Sequence, residues 1–190
     1  EELVRMCHEA GITVTPIPGP AACINALIIS GRSTRRFCFE AFLPQDKKER
    51  QAILEELKVE TRTIILYEAP HRLIQTLEVL QEALGDRKLT ICRELTKKHE
   101  TVFLTTLSEA LVYYKENPPR GECVLVLEGR SREEMEAEKQ QNWLEMPLEE
   151  HMAHYEAGGM DRKEAMKQVA KDRGISKRDV YKMLLDAEEK

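Results

Sequence analysis

The run TPIPGPAAC (Thr15 to Cys23) sets three prolines and a glycine between a short alternating segment and the almost wholly apolar CINALIIS. Proline cannot donate to a ladder, so ITVTPIP (12–18) reads as a strand that stops there. Pro20 suits the first turn of a following helix over 21–29. Gly19 lets a ligand or a neighbouring strand approach the backbone, and the helix amides from Ala21 onward are open to a carboxylate or phosphate. The same residues also read as a rigid strand-to-helix connection and nothing more. Upstream, EELVRMCHEAG gathers Leu3, Val4 and Cys7 on one helical face (1–10), with Gly11 placed as a C-cap.

Downstream the pattern alternates. Strands are expected at 36–43, 61–69, 88–95, 101–107 and 122–129. Helices are expected at 46–58, capped by Asp46, at 71–85, closed by glycine, and at 108–117, capped by Ser108. Strands alternating with helices imply an α/β fold with a mixed sheet of about five strands flanked by helices. After Gly129 the composition turns to Glu, Lys and Gln, and 131–147 reads as a linker helix carrying the lone Trp143. Residues 148–190 read as an all-helical tail. Its helices carry Ala165, Met166, Val169 and Ala170 on one face, and Val180, Tyr181, Leu184 and Leu185 on the other helix. Gly174-Ile175-Ser176 joins them, a helix-turn-helix pattern.

The chain of 190 residues has 29 basic and 34 acidic side chains, so a nucleic-acid partner needs a local patch. Such a patch exists. Between Asp161 and Lys182, eight basic residues, Lys177, Arg178 and Lys182 among them, face four acidic ones. That segment reads equally as a solvated or dimerising surface. No apolar run reaches membrane-spanning length, and the charged opening is unlike a signal peptide. Cys7, Cys23, Cys38, Cys92 and Cys123 stand singly, which favours buried thiols in a reducing cytoplasm over a disulfide framework or zinc cluster. His151 and His154 lack further ligands nearby, so no metal is expected.

Two charged stretches follow expected strands. Tyr67-Glu68-Ala69-Pro70-His71-Arg72 lies at a strand end, where α/β sheets bind ligands. Its carboxylate and imidazole could move protons, or Glu68 and Arg72 could simply pair. Arg93-Glu94-Leu95-Thr96-Lys97-Lys98-His99-Glu100 is a solvated loop by default, but its cations also suit a phosphate backbone.

Together and in order, IPGPAACINALIISG, LYEAPHRL, RELTKKHE and GECVLVLEG resemble the bacterial ribosomal RNA small-subunit methyltransferase I family, of the tetrapyrrole-methylase class. The resemblance runs from Glu1 to about Gly129, and the basic tail matches the family's usual extension. It implies S-adenosylmethionine in a cleft between two α/β domains, and 2′-O-methylation of a cytidine in 16S rRNA of the 30S subunit by a homodimer. On that resemblance the cofactor contacts are Gly19, Pro20, Ala21, Ala22, Tyr67, Gly121 and Glu122. Candidate catalytic groups are Glu68, His71 and Glu94, and substrate contacts are Arg72, Arg93, Lys97, Lys177, Arg178 and Lys182. The family's first-domain glycine-rich loops have no counterpart here, so residues 1–18 read as a remnant of that domain and 19–130 as the second domain. Such a piece is expected to be inactive alone, and either to pair through its exposed N-terminal apolar face, the favoured outcome, or to leave residues 1–18 mobile and displaced. Ala21 stands where the family usually has serine. The alternatives are a corrin-type tetrapyrrole methylase and a non-catalytic RNA-binding module.

Overall fold

The computed structural model describes residues 2–188, with side chains to residue 185. The chain forms two units, 1–129 and 130–190, each taken by itself below.

The first unit is built on one five-stranded sheet of β1 (Phe37–Phe39), β2 (Thr63–Glu68), β3 (Lys88–Arg93), β4 (Thr101–Thr106) and β5 (Cys123–Leu127). The order is β1-β2-β5-β3-β4. Only the β1–β2 pair is parallel; β5 runs antiparallel to both its neighbours, as does β4 to β3. β5, CVLVL, is buried at every position. A central strand covered on both faces reads as a continuous apolar run, because neither side of its pleat meets water.

Side-chain alternation sends the two faces to different partners. Ile64, Leu66, Leu89, Ile91, Leu125 and Leu127 pack with Leu54 and Leu57 of α3 (Lys47–Lys58). Leu73, Leu77 and Leu80 of α4 (Leu73–Leu84) and Leu107, Leu111 and Tyr114 of α5 (Leu107–Glu116) complete that layer. On the opposite face, Ala26 and Leu27 of α2 (Ala22–Ile29) cover Ile65, Cys92, Val124 and Val126. Where the returning chain passes the sheet it does so closely: a Cβ at Gly129 would run into the Arg62 carbonyl.

Several local expectations change. Asp46 does cap α3, accepting from the Lys48 and Glu49 amides at 2.9 Å. The α5 cap, however, is Thr106, in a reciprocal capping box with Glu109. Ser108 instead donates its amide and hydroxyl to Asp86, and that amide is the main reason the Asp86 carboxyl lies below the usual range. Pro20 precedes the Ala21 N-cap rather than sitting in the first turn of α2. The expected strand 12–18 does not form: residues 12–21 are irregular and exposed, and neither sheet edge, β1 nor β4, pairs with them. α1 (Glu2–Glu9) is helical but buries no residue, leaving Leu3, Val4 and Met6 exposed. Cys92 and Cys123 are buried, while Cys7, Cys23 and Cys38 are only half-buried.

The second unit comprises α6 (Arg132–Glu145), α7 (Leu148–Ala157), α8 (Arg162–Arg173) and α9 (Lys177–Glu188). α6 occupies the segment expected as a linker and packs on α8. The apolar core is Met152, Ala165, Val169, Ala170, Val180 and Leu184. Tyr181 and Leu185, expected on the same face, are exposed instead. Beside this core lies a buried polar group. His151 stacks on Trp143, centroids 4.1 Å apart and rings 3° from parallel. Its Nδ1 accepts from Arg173 Nε at 3.1 Å, and Arg173 also donates to the Met146 carbonyl. Arg173 is therefore structural, not part of the exposed cationic surface. His151 Nε2 stands 3.4 Å from Asp172 Oδ2, outside hydrogen-bond geometry. Asp172 is already bonded by Tyr155 and Gln168, and burial with that carboxylate pushes Tyr155 up to about 12.

Burial, then the Arg173 charge, lowers the His151 pKa below its ordinary value, with Asp172 opposing and His154 adding slightly. A proton binds the unfolded chain more readily than the folded one, so His151 stability is complete above the unfolded value near 6.5 and is lost as pH falls below it. Unfolding followed by Trp143 fluorescence should show the helical unit weakening from pH 7.5 to 5.5. His151→Asn should flatten that slope; an unchanged slope would show that His151 does not control it.

Candidate active site

Three segments that are far apart in sequence meet at one edge of the sheet. Cys123, the first residue of β5, is opposite both Glu68 at the end of β2 and Arg93 at the end of β3. The Tyr67–Arg72 turn, the Arg93–Glu100 loop and the Gly121-Glu122 entry into β5 are therefore neighbours by register. α2 is tied to the same edge, because the Cys23 amide donates to the Tyr67 hydroxyl at 3.0 Å. That bond satisfies one first-turn amide of a helix whose N-cap, Ala21, offers no side-chain acceptor. Phe39 and Phe42 meet the Tyr67 ring edge-on at 4.9 and 5.8 Å, and burial raises the Tyr67 pKa.

A small cleft of about 90 Å³ opens here, lined by Ala22, Cys92, Glu94, Leu95, Lys97, Glu122 and Val124. Its floor is apolar and its rim charged. Glu94 dominates the rim. Its backbone is left-handed at φ 50°, as is that of Thr96 at 65°, an unusual conformation for residues bearing a Cβ. Such strain clusters at functional sites. The Glu94 side chain fills the space above Gly121: at φ 76°, a Cβ there would collide with the Glu94 carboxylate. Lys97 Nζ sits 3.3 Å from Glu94 Oε1 and is largely exposed. The loop is closed by Lys97 N to Glu94 O at 2.9 Å and by Thr96 N to Glu100 Oε2 at 2.6 Å.

Other expected site residues have different work. Glu68 is fully buried, accepting from its neighbour Ala69 N at 2.8 Å and from Thr76 Oγ1 at 2.5 Å, with Arg72 Nε at 3.5 Å. The enclosed carboxylate clasps β2 to α4. Arg72 also donates to the Leu43 carbonyl at 2.9 Å, and Arg93 gives Nε and Nη2 to the Arg120 carbonyl. Both guanidinium groups brace the fold through these carbonyls. His71 is exposed ahead of α4 but does not line the cleft. Gly19 and Pro20 are exposed, and a Cβ at Gly19 would meet nothing within 4 Å, so the expected close approach is absent within this chain. Lys177, Arg178 and Lys182 belong to the helical unit. Cys92, Leu95 and Val124 also line the cleft; apolar residues beside a charged motif read as ordinary core.

Residues 1–111 match the family model for tetrapyrrole (corrin/porphyrin) methylases. The chain belongs to that family. Among curated relatives, the ribosomal RNA small subunit methyltransferase I of Synechocystis is 44% identical, over 99% of this chain and 66% of that protein. Those of Bacillus subtilis and Halalkalibacterium halodurans are 44% and 46% identical, over 95% of this chain and 61% and 62% of theirs. The chain thus spans about three fifths to two thirds of the length of these relatives. Among solved structures, the cobalamin biosynthetic enzyme cobalt precorrin-4 methyltransferase, CbiF, shares 15% identity at a TM-score of 0.50 over 67% of this chain and 56% of its own. The methyltransferase CobJ shares 17% at 0.51, over 67% and 55%. These likenesses concern the fold, a tetrapyrrole-methylase α/β architecture.

Gly121→Ala should cost about 1–2 kcal/mol for the left-handed backbone alone and should displace the Glu94 carboxylate. Denaturant unfolding checks the first. A crystal structure of the variant checks the second, and an unmoved Glu94 would contradict the packing described here.

Proposed function

We propose that the full-length protein carrying this chain transfers a methyl group from S-adenosylmethionine to a cytidine 2′-hydroxyl of 16S rRNA in the 30S subunit. The observation that carries the reading is the meeting of Glu94, Gly121, Glu122 and the α2 start at one sheet edge, in a chain whose relatives bear the rRNA methyltransferase name. The fit to the cofactor is partial but sound. A whole-ligand pocket runs to roughly 300 Å³ or more, and the cleft holds about 90 Å³. Its apolar floor, charged rim and α2 N-terminus suit one portion of a sulfonium nucleoside. Ala22 and Glu122 would hold that portion, with Tyr67 fixing the helix start.

When bound, the cofactor supplies an electrophilic methyl group on a sulfonium centre. Positioning does much of the work in an in-line displacement. This chain contributes Glu94, whose carboxylate accepts the ribose hydroxyl proton as the oxygen becomes a nucleophile. Lys97, paired with Glu94 and exposed, can turn outward to a phosphate of the substrate and so free the carboxylate. Lys177, Arg178 and Lys182 add backbone attraction. Leu3, Val4, Ile12, Val14 and Ile17 are exposed apolar side chains that a homodimer contact would cover.

Purified full-length protein should methylate 30S subunits from a deletion strain, with 2′-O-methylcytidine seen by nucleoside mass spectrometry. Glu94→Gln should lower kcat by 10²–10⁴-fold, the usual share of a general base, with KM little changed. Methylation of a base, or of a corrin substrate alone, would overturn the proposal.

A further inference from the structure

On the helical unit, one surface is built unlike a solvated helix face. The buried stripe of α9 is Val180 and Leu184. A second apolar stripe, Tyr181 and Leu185, lies one residue on and faces solvent, with Tyr181 54% and Leu185 42% exposed. Helical side chains lean toward the N-terminus, so Tyr181 is directed toward the turn that bears Lys177 and Arg178, four and three residues back. Lys182 adjoins it. α8 carries a matching feature: Lys163, Lys167 and Lys171, all exposed, recur at four-residue steps along one face. In a chain with five excess negative charges, the segment 161–182 sets seven basic residues besides the buried Arg173 against four acidic ones.

We infer that Tyr181 is a stacking platform for an unpaired base of RNA, with Lys177, Arg178 and Lys182 holding the phosphates on either side. This rests on the RNA-directed function proposed above and names the form of RNA the helical unit takes. An aromatic face among cations fits a base with its flanking phosphates, because every base offers a π surface and every phosphate a charge. It fits the centre of a protein interface poorly, since lysine is depleted there. Double-stranded RNA keeps its bases stacked on one another and offers the ring no face.

The test uses the full chain and fluorescence anisotropy with a labelled, unstructured RNA oligomer and the same sequence as a duplex. Tyr181→Ala should weaken single-strand binding about tenfold, the usual loss of one stacked base, with its salt slope unchanged. Tyr181→Phe should bind as wild type, because the ring is kept. The triple substitution Lys177→Ala, Arg178→Ala and Lys182→Ala should lower the salt slope by about two, at roughly 0.7 per phosphate contact. Duplex binding should ignore Tyr181→Ala. Unchanged single-strand affinity, or an equal loss on duplex, would overturn the inference. So would a Tyr181→Ala variant that turns a dimer into a monomer by sedimentation, which would make the stripe an interface between copies. Methylation of 30S subunits is read separately: if it persists while Tyr181 proves indifferent to RNA, only this inference falls. If the wild-type chain binds no RNA, the inference falls together with the role given to the basic helices.

Discussion

The architecture of the first unit depends on the double burial of β5. Its five residues have no wet side, so the strand is stable only with β2 and β3 paired to its edges, α2 over one face and α3, α4 and α5 over the other. That constraint also builds the cleft. With Cys123 locked between Glu68 and Arg93, the residues just before it, Gly121 and Glu122, emerge between the β2 and β3 ends. The loops there are free to vary, but their separation is not.

Around that edge the charged residues divide by burial. Glu68 is enclosed, with its oxygens met by the Ala69 amide, the Thr76 hydroxyl and the Arg72 guanidinium. It stabilises the turn from β2 into α4. Glu94 projects instead into the cleft from a left-handed backbone, roofing a glycine that no other residue could replace without displacing it. The two carboxylates look alike in the sequence. Their surroundings give one a structural role and make the other the better candidate for chemistry.

Much of this was legible in the sequence. Alternation and caps located the strands at 61–69, 88–95, 101–107 and 122–129 to within a few residues, because local hydrophobic pattern and local structure agree there. The 12–18 strand failed for the opposite reason: its pattern is strand-like, but pairing is a property of a partner, and the sheet offers none. Ser108 was a plausible cap from residue type alone, yet Thr106 won through its reciprocal bond with Glu109, a matter of register by two residues. At the site, Glu94, Lys97, Ala22 and Glu122 do converge. The intrachain bonds of Arg72, Arg93 and Glu68 were not legible, because a sequence does not show which charged groups the fold itself engages. The exposure of Tyr181 was equally hidden: one helical step separates it from the buried stripe.

We propose that the sheet edge at the β5 entry receives the cofactor. Titrating S-adenosylmethionine into isotope-labelled full-length protein and following amide chemical shifts tests it most directly. The largest changes are expected at Ala22, Glu94, Lys97, Gly121 and Glu122, with little change along α3, α4 and α5. Shifts centred on the outer helices or on residues 130–185, with the Gly121 and Glu94 amides unmoved, would contradict it.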